Sequence, residues 1–131
     1  MAVSEEAAVL LALAEDDLEH IREMQSFGSR RTAIFGFHAQ QAVEKAAKAW
    51  LIVLGQAPPW THDLNLLLGQ LQARGVLAPN LVDGLARLTA FAVRFRYGPP
   101  STVPAIDGAD LIARVARFVQ AARTAYSEPM Q

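Results

Sequence analysis

Cysteine is absent from this chain. Its absence excludes disulfide staples, thiolate nucleophiles and cysteine-ligated metals, and fits a reducing cytoplasm. Long apolar runs are missing too: none approaches the roughly 18 residues needed to cross a bilayer. The N-terminus opens on Ser4-Glu5-Glu6, not on a basic leader. A soluble cytoplasmic protein without membrane contact is therefore expected. No GxxxxGK[ST] loop, GxGxxG turn or GxSxG elbow occurs, so phosphate-loop hydrolysis, dinucleotide redox and serine-hydrolase chemistry lack support. Histidine is scarce. His20, His38 and His62, with Asp16 and Asp17, are the only metal candidates. Asp16 and His20 are four apart and can share a helix face, but no HExxH or ExxH pattern accompanies them. Neither metal nor cofactor is expected.

What is present suits one domain spanning 1–131, with 52% hydrophobic and 19% charged residues, enough to bury a core without staples. The net charge of −1 conceals an asymmetry. Within residues 1–23, seven acids face Arg22 alone, for a net −6. Residues 24–62 carry Arg30, Arg31, Lys45 and Lys48 against Glu44, and residues 84–106 carry Arg87, Arg94 and Arg96 with no acid; each segment is +3. If the two basic segments meet, they make an anion-attracting surface. Solvated arginines spread around a bundle are the alternative.

The periodicity is helical throughout and predicts an all-α, up-and-down antiparallel bundle of four to five helices. Ala7, Leu11, Ala14, Leu18 and Ile21 mark the first helix, which Phe27-Gly28-Ser29 ends. A second runs from about Arg30 to Leu54, stopped by Gly55 and Pro58-Pro59. A third covers Asp63 to Arg74, with Leu64, Leu67, Leu68 and Leu71 on one face and Gly75 at its end. From Pro79, Leu81, Leu85, Leu88, Ala92 and Phe95 predict a fourth, broken by Gly98-Pro99-Pro100. Asp107 is placed to cap the last, with Leu111, Val115, Phe118, Ala122 and Tyr126 inward.

The segment Phe37–Trp50, FHAQQAVEKAAKAW, breaks the pattern of a plain packing helix. His38, Gln41, Lys45 and Lys48 fall along one stripe, with Gln40 and Glu44 as an adjacent i, i+4 pair. Lys45 and Lys48 are the only lysines among 12 basic residues. Polar density inside an apolar helix means either a site or a hydrogen-bonded network that fixes register. Glu44, an isolated acid, is expected to pair with Lys48, Arg94 or Arg96. Asp63 fits a helix cap, while His62 beside it can bind an anion, shuttle a proton or bond to the loop. Arg94 and Arg96, two apart, cannot share a face and so do two jobs, one of which suits a phosphate.

FHAQQAVEKAAKAW, with Pro58, Thr61-His62-Asp63-Leu64 and Arg96-Tyr97, resembles the HEPN family (higher eukaryote and prokaryote nucleotide-binding domain) over nearly the whole chain. The resemblance implies a helical bundle, often a homodimer, often encoded beside a minimal nucleotidyltransferase in a toxin–antitoxin pair. Catalytic members are metal-independent ribonucleases with an arginine and a histidine separated by four to six intervening residues. Arg94 or Arg96 would need that histidine between positions 99 and 103, where the chain has Pro99, Pro100, Ser101, Thr102 and Val103. Arg31 and His38, with six residues between them, have this formal spacing, but in the second helix, the wrong element. The similarity is to the branch with an Arg-Tyr-Pro-like segment, here Arg96-Tyr97-Gly98-Pro99.

The leading expectation is a non-catalytic homodimeric partner of a separate nucleotidyltransferase. It binds a nucleotide or RNA phosphate through His38, Gln41, Lys45, Lys48, His62, Arg94, Arg96 and Tyr97, with Gln40, Glu44 and Asp63 as a structural polar network. The alternatives are a metal-independent RNA endonuclease, in which His38 or His62 works beside Arg94 or Arg96, and a purely structural interaction module.

Overall fold

The computed structural model describes residues 2–26, 32–91 and 108–128. Helix α1 spans Ala2–Ser26, α2 Thr32–Val53, α3 Leu64–Ala73 and α4 Gly108–Ser127. No strand occurs among the described residues, and the molecule is an all-α helical bundle. No described helix is long and apolar enough to cross a membrane.

Helix α2, about 33 Å long at 1.5 Å per residue, is the spine, packing against α1, α3, α4 and the following 3-10 turn. Its composition makes that possible. Ala39, Ala42, Ala46, Ala47 and Ala49 are all fully buried on one side, and buried Gln40, Glu44, Leu51 and Ile52 extend the covered surface around much of the circumference. Small side chains let neighbours approach from several sides, so even the polar Gln40 and Glu44 are enclosed.

The partners of α2 are conventional amphipathic helices. On α1, Ala7, Leu11, Ala14, Leu18 and Ile21 alternate steps of four and three and are buried. Leu111, Val115, Phe118 and Ala122 repeat this on α4, where Val119 is also buried and Tyr126 only partly so. The Phe118 ring lies 5.7 Å from the Trp50 ring, centroid to centroid, joining α4 to α2. Between α4 and α1, Arg123 forks onto Glu15 with contacts of 3.0 and 2.6 Å.

The ends of α2 and α3 follow the expected chemistry. Gly55 and Gly75 take φ of 80° and 71°, a left-handed conformation that glycine adopts at no steric cost. Asp63 caps α3 by accepting from the Asn65 N–H at 2.9 Å, and Thr89 Oγ1 accepts from the Leu64 N–H at 2.9 Å.

The fourth helix expected from Pro79 begins differently. Residues 79–85 are turns, followed by a 3-10 turn at Ala86–Leu88 and helical residues 89–91. Asn80 and Gly84 have φ of 66° and 78°, which an α-helix cannot accommodate. The apolar spacing still works, because Leu85 and Leu88 are buried by the turns as they would be by a helix. Arg30, Arg31, Phe27-Gly28-Ser29, Ala92, Phe95 and Asp107 lie outside the described residues, as do Arg94, Arg96, Tyr97 and the 99–103 window.

Candidate functional site

Two buried carboxylates organise the polar side of α2. Asp17 comes from α1, on the inner stripe between Ala14 and Ile21, and is 7% exposed; Glu44 on α2 is 4% exposed. Each holds one lysine and one histidine. Asp17 Oδ2 accepts from Lys45 Nζ at 2.7 Å, and Asp17 Oδ1 lies 3.0 Å from His38 Nδ1. Glu44 Oε2 accepts from Lys48 Nζ at 2.9 Å, while its Oε1 accepts from Gln40 Nε2 at 2.7 Å and lies 2.9 Å from His62 Nδ1.

Gln40 closes the second cluster. Its amide N–H groups donate to Glu44 and, at 3.3 Å, to the His62 carbonyl, and its oxygen accepts from Gln41 Nε2 at 2.7 Å. Among the described residues no buried side-chain nitrogen or oxygen lacks a partner. Burial alone pushes the Glu44 carboxyl up, but hydrogen bonds from Lys48, Gln40 and His62, together with the Lys48 charge, outweigh it and hold Glu44 below the ordinary glutamate range.

The expected stripe of His38, Gln41, Lys45 and Lys48 is thus divided between two carboxylates. His38 and Lys45 turn to Asp17, Lys48 leans back to Glu44, and Gln41 supports Gln40. Both lysines already have a carboxylate partner, which weakens their pull on phosphate. His62 belongs to the Glu44 cluster, and its side chain is 55% exposed. Of the three expected partners for Glu44, Lys48 is observed at its side, and Arg94 and Arg96 lie outside the described residues. Asp63 is a helix cap, as its position suggested.

Two features escape the sequence reading. The first is Asp17, missed as a cross-helix counterion although it stands three residues after Ala14 and four before Ile21, on the face those residues bury. The second is Trp60, wholly exposed at 103%. It stands at a cavity of about 630 Å³ lined by Leu10, Lys48, Ile52, Gln56 and Pro58, among others, with Glu6 also in the wall. The cavity lies between the N-terminal half of α1, the end of α2 and the α2–α3 loop, and Lys48 joins it to the Glu44 cluster.

A possible metal-binding group also takes a different form from the Asp16–His20 pair considered in the sequence. Here Asp17, His20 and His38 lie together, each with a ligating atom within 4.8 Å of the others. All three residues were candidates in the sequence, but His38 comes from another helix, so spacing could not group it with Asp17 and His20.

No curated protein matches the sequence. The family model of the HEPN domain matches residues 7–125, from buried Ala7 on α1 almost to the end of α4, so the chain belongs to the HEPN family, whose functions are nucleotide- and RNA-related in general.

Proposed function

We propose that this HEPN chain is a non-catalytic component that binds a nucleotide or an RNA segment at the α2–α3 loop. The observation that carries this reading is Trp60, an exposed indole beside a cavity whose wall includes Lys48. An exposed aromatic ring is a stacking platform for an unpaired base. Leu10, Ile52 and Pro58 supply apolar walls, Lys48 a donor and Glu6 an acceptor for an exocyclic amine. His62 follows two residues later with an outward imidazole, and Arg94, Arg96 and Tyr97 remain proposed phosphate and base contacts through the family resemblance. Because Lys45 and Lys48 are paired, stacking outweighs phosphate attraction in this site.

The chain is proposed to pair with a second copy and to act with a separate minimal nucleotidyltransferase in a toxin–antitoxin-like module. Exposed Val9 and Leu13, one turn apart on α1, offer apolar surface for the pairing. Light scattering at micromolar concentration checks it: a 14.2 kDa species alone would rule out the homodimer. Titration with adenine nucleotides and short single-stranded RNA, followed by Trp60 fluorescence, tests ligand binding. No response to either class would leave the structural-module reading in its place.

One observation favours an enzymatic second reading. Glu44 holds His62 Nδ1 at 2.9 Å, the arrangement by which a carboxylate orients an imidazole for acid–base work. Incubating the protein with single-stranded RNA and a chelator separates the two. Intact RNA supports the binding component, and rapid cleavage abolished by His62→Ala establishes the ribonuclease.

A further inference from the structure

On the side of α2 facing α1, Asp17, His20 and His38 converge from two helices. Asp17 and His20 are one turn apart on α1, and His38 reaches them from the first half of α2. The His20 and His38 rings are 5.2 Å apart between centroids and inclined by 38°. We propose that these three residues form a binding site for a divalent first-row transition metal ion of the Zn²⁺ class.

The donor set selects the ion. Two imidazoles and one carboxylate match the nitrogen-and-oxygen preference of Zn²⁺, Co²⁺ and Ni²⁺, whereas Mg²⁺ and Ca²⁺ favour sites built almost wholly of oxygen. The spacing is compatible. Ligands bonded at about 2.0–2.1 Å around a tetrahedral ion stand about 3.4 Å from one another. Asp17 and His38 are already 3.0 Å apart, and His20 is exposed and has room to swing the remaining distance.

The surroundings prepare the carboxylate. Lys45 Nζ donates to Asp17 Oδ2 at 2.7 Å, leaving Oδ1 turned toward His38. Hydrogen bonds of this kind orient a ligating carboxylate, although the ammonium charge lowers affinity for a cation. As the ion binds, the hydrogen bond between His38 and Asp17 gives way to metal coordination; a neutral His38 would exchange its Nδ1 proton for one at Nε2 through solvent, with no net release, and a charged one would give up one proton. Exposed His20 leaves the outer coordination position to water, as in sites with three protein ligands. The bound ion would pin α1 to α2 beside the Asp17–Lys45 pair.

The test uses the full chain, stripped with chelator and titrated with Co²⁺ alone, read by visible d–d absorption. The expected result is one equivalent bound per chain and displaced by Zn²⁺. His20→Ala should weaken binding by about tenfold or more, with the helical circular dichroism unchanged because His20 is exposed. His62→Ala should leave the titration as it was, since His62 belongs to the Glu44 cluster. Absence of the cobalt band, a titration insensitive to His20→Ala, or one lost with His62→Ala would each overturn the site.

Discussion

Lys45 on α2 donates to Asp17 on α1 at 2.7 Å across 28 positions of sequence, so the acidic first helix neutralises the centre of the basic stripe from inside the bundle. A second carboxylate, Glu44, does the same for Lys48 at 2.9 Å. The charge asymmetry along the chain is therefore partly internal. It binds α1 to α2 and holds the α2–α3 loop, and less of it is left to attract anions than the segment charges suggest.

Removing Asp17 tests this directly. Asp17→Asn leaves Lys45, whose side chain is 24% exposed, without its counterion in a largely buried position. A loss of about 2–4 kcal/mol is expected, toward the lower part of the range for broken buried pairs because Lys45 retains some solvent. A double-mutant cycle with Lys45→Met should return a coupling of about 1–3 kcal/mol by urea denaturation. Additive effects would mean that the pair contributes no net stability.

Glu44 supplies the pH dependence. Its folded-state pKa is lowered, so its contribution is fully present above the unfolded-state value, near 4.3 for glutamate, and is lost as pH falls through the depressed folded value. Glu44→Gln should cost roughly 1–3 kcal/mol at neutral pH. The stability difference between wild type and variant should stay constant down to about pH 5 and shrink below it. Denaturation midpoints collected from pH 7 to pH 3 measure this. A difference that grows with acidification would show that the sign of the shift is wrong.

Much of this architecture was legible in the sequence, and the gaps have physical causes. The seam on α1, the glycine stops at Gly55 and Gly75 and the Asp63 cap follow from local rules, because each depends on residues within one or two turns. The Glu44–Lys48 pair is similarly local. Asp17 with Lys45 and His38 is not, since only the packing of α1 against α2 brings them together. The turns at 79–85 were missed because Leu81, Leu85 and Leu88 keep a helical period that a chain of turns can also bury. Trp60 was passed over because composition does not tell an exposed indole from a core one.

Two glycines separate helix propensity from packing. In α2, the Phe91 ring lies directly where a Gly36 Cβ would stand, while in α3 the Gly69 position is open. Alanine for glycine inside a helix normally gains up to about 1 kcal/mol. Gly69→Ala should show that gain. Gly36→Ala should instead lose about 1–2 kcal/mol, because displacing a buried aromatic ring costs more than the propensity returns. Thermal or urea unfolding of the two variants gives opposite signs on this account; equal shifts would show that Phe91 moves aside without cost.

Trp60 makes the final prediction, because its exposure separates ligand binding from folding. The indole is wholly exposed, so Trp60→Ala removes little packing and should shift stability by no more than about 0.5 kcal/mol. If a base stacks on it beside the Lys48 cavity, the variant should lose about 1–3 kcal/mol of binding, roughly 5- to 150-fold in Kd. Lys48→Met is expected to behave differently. It strips a donor from the cavity and a counterion from Glu44, so binding and stability should fall together. Titrating both variants with short single-stranded RNA, followed by fluorescence anisotropy of a labelled strand, distinguishes these outcomes. Unchanged affinity in Trp60→Ala, with the fold intact, would move the ligand away from the α2–α3 loop altogether.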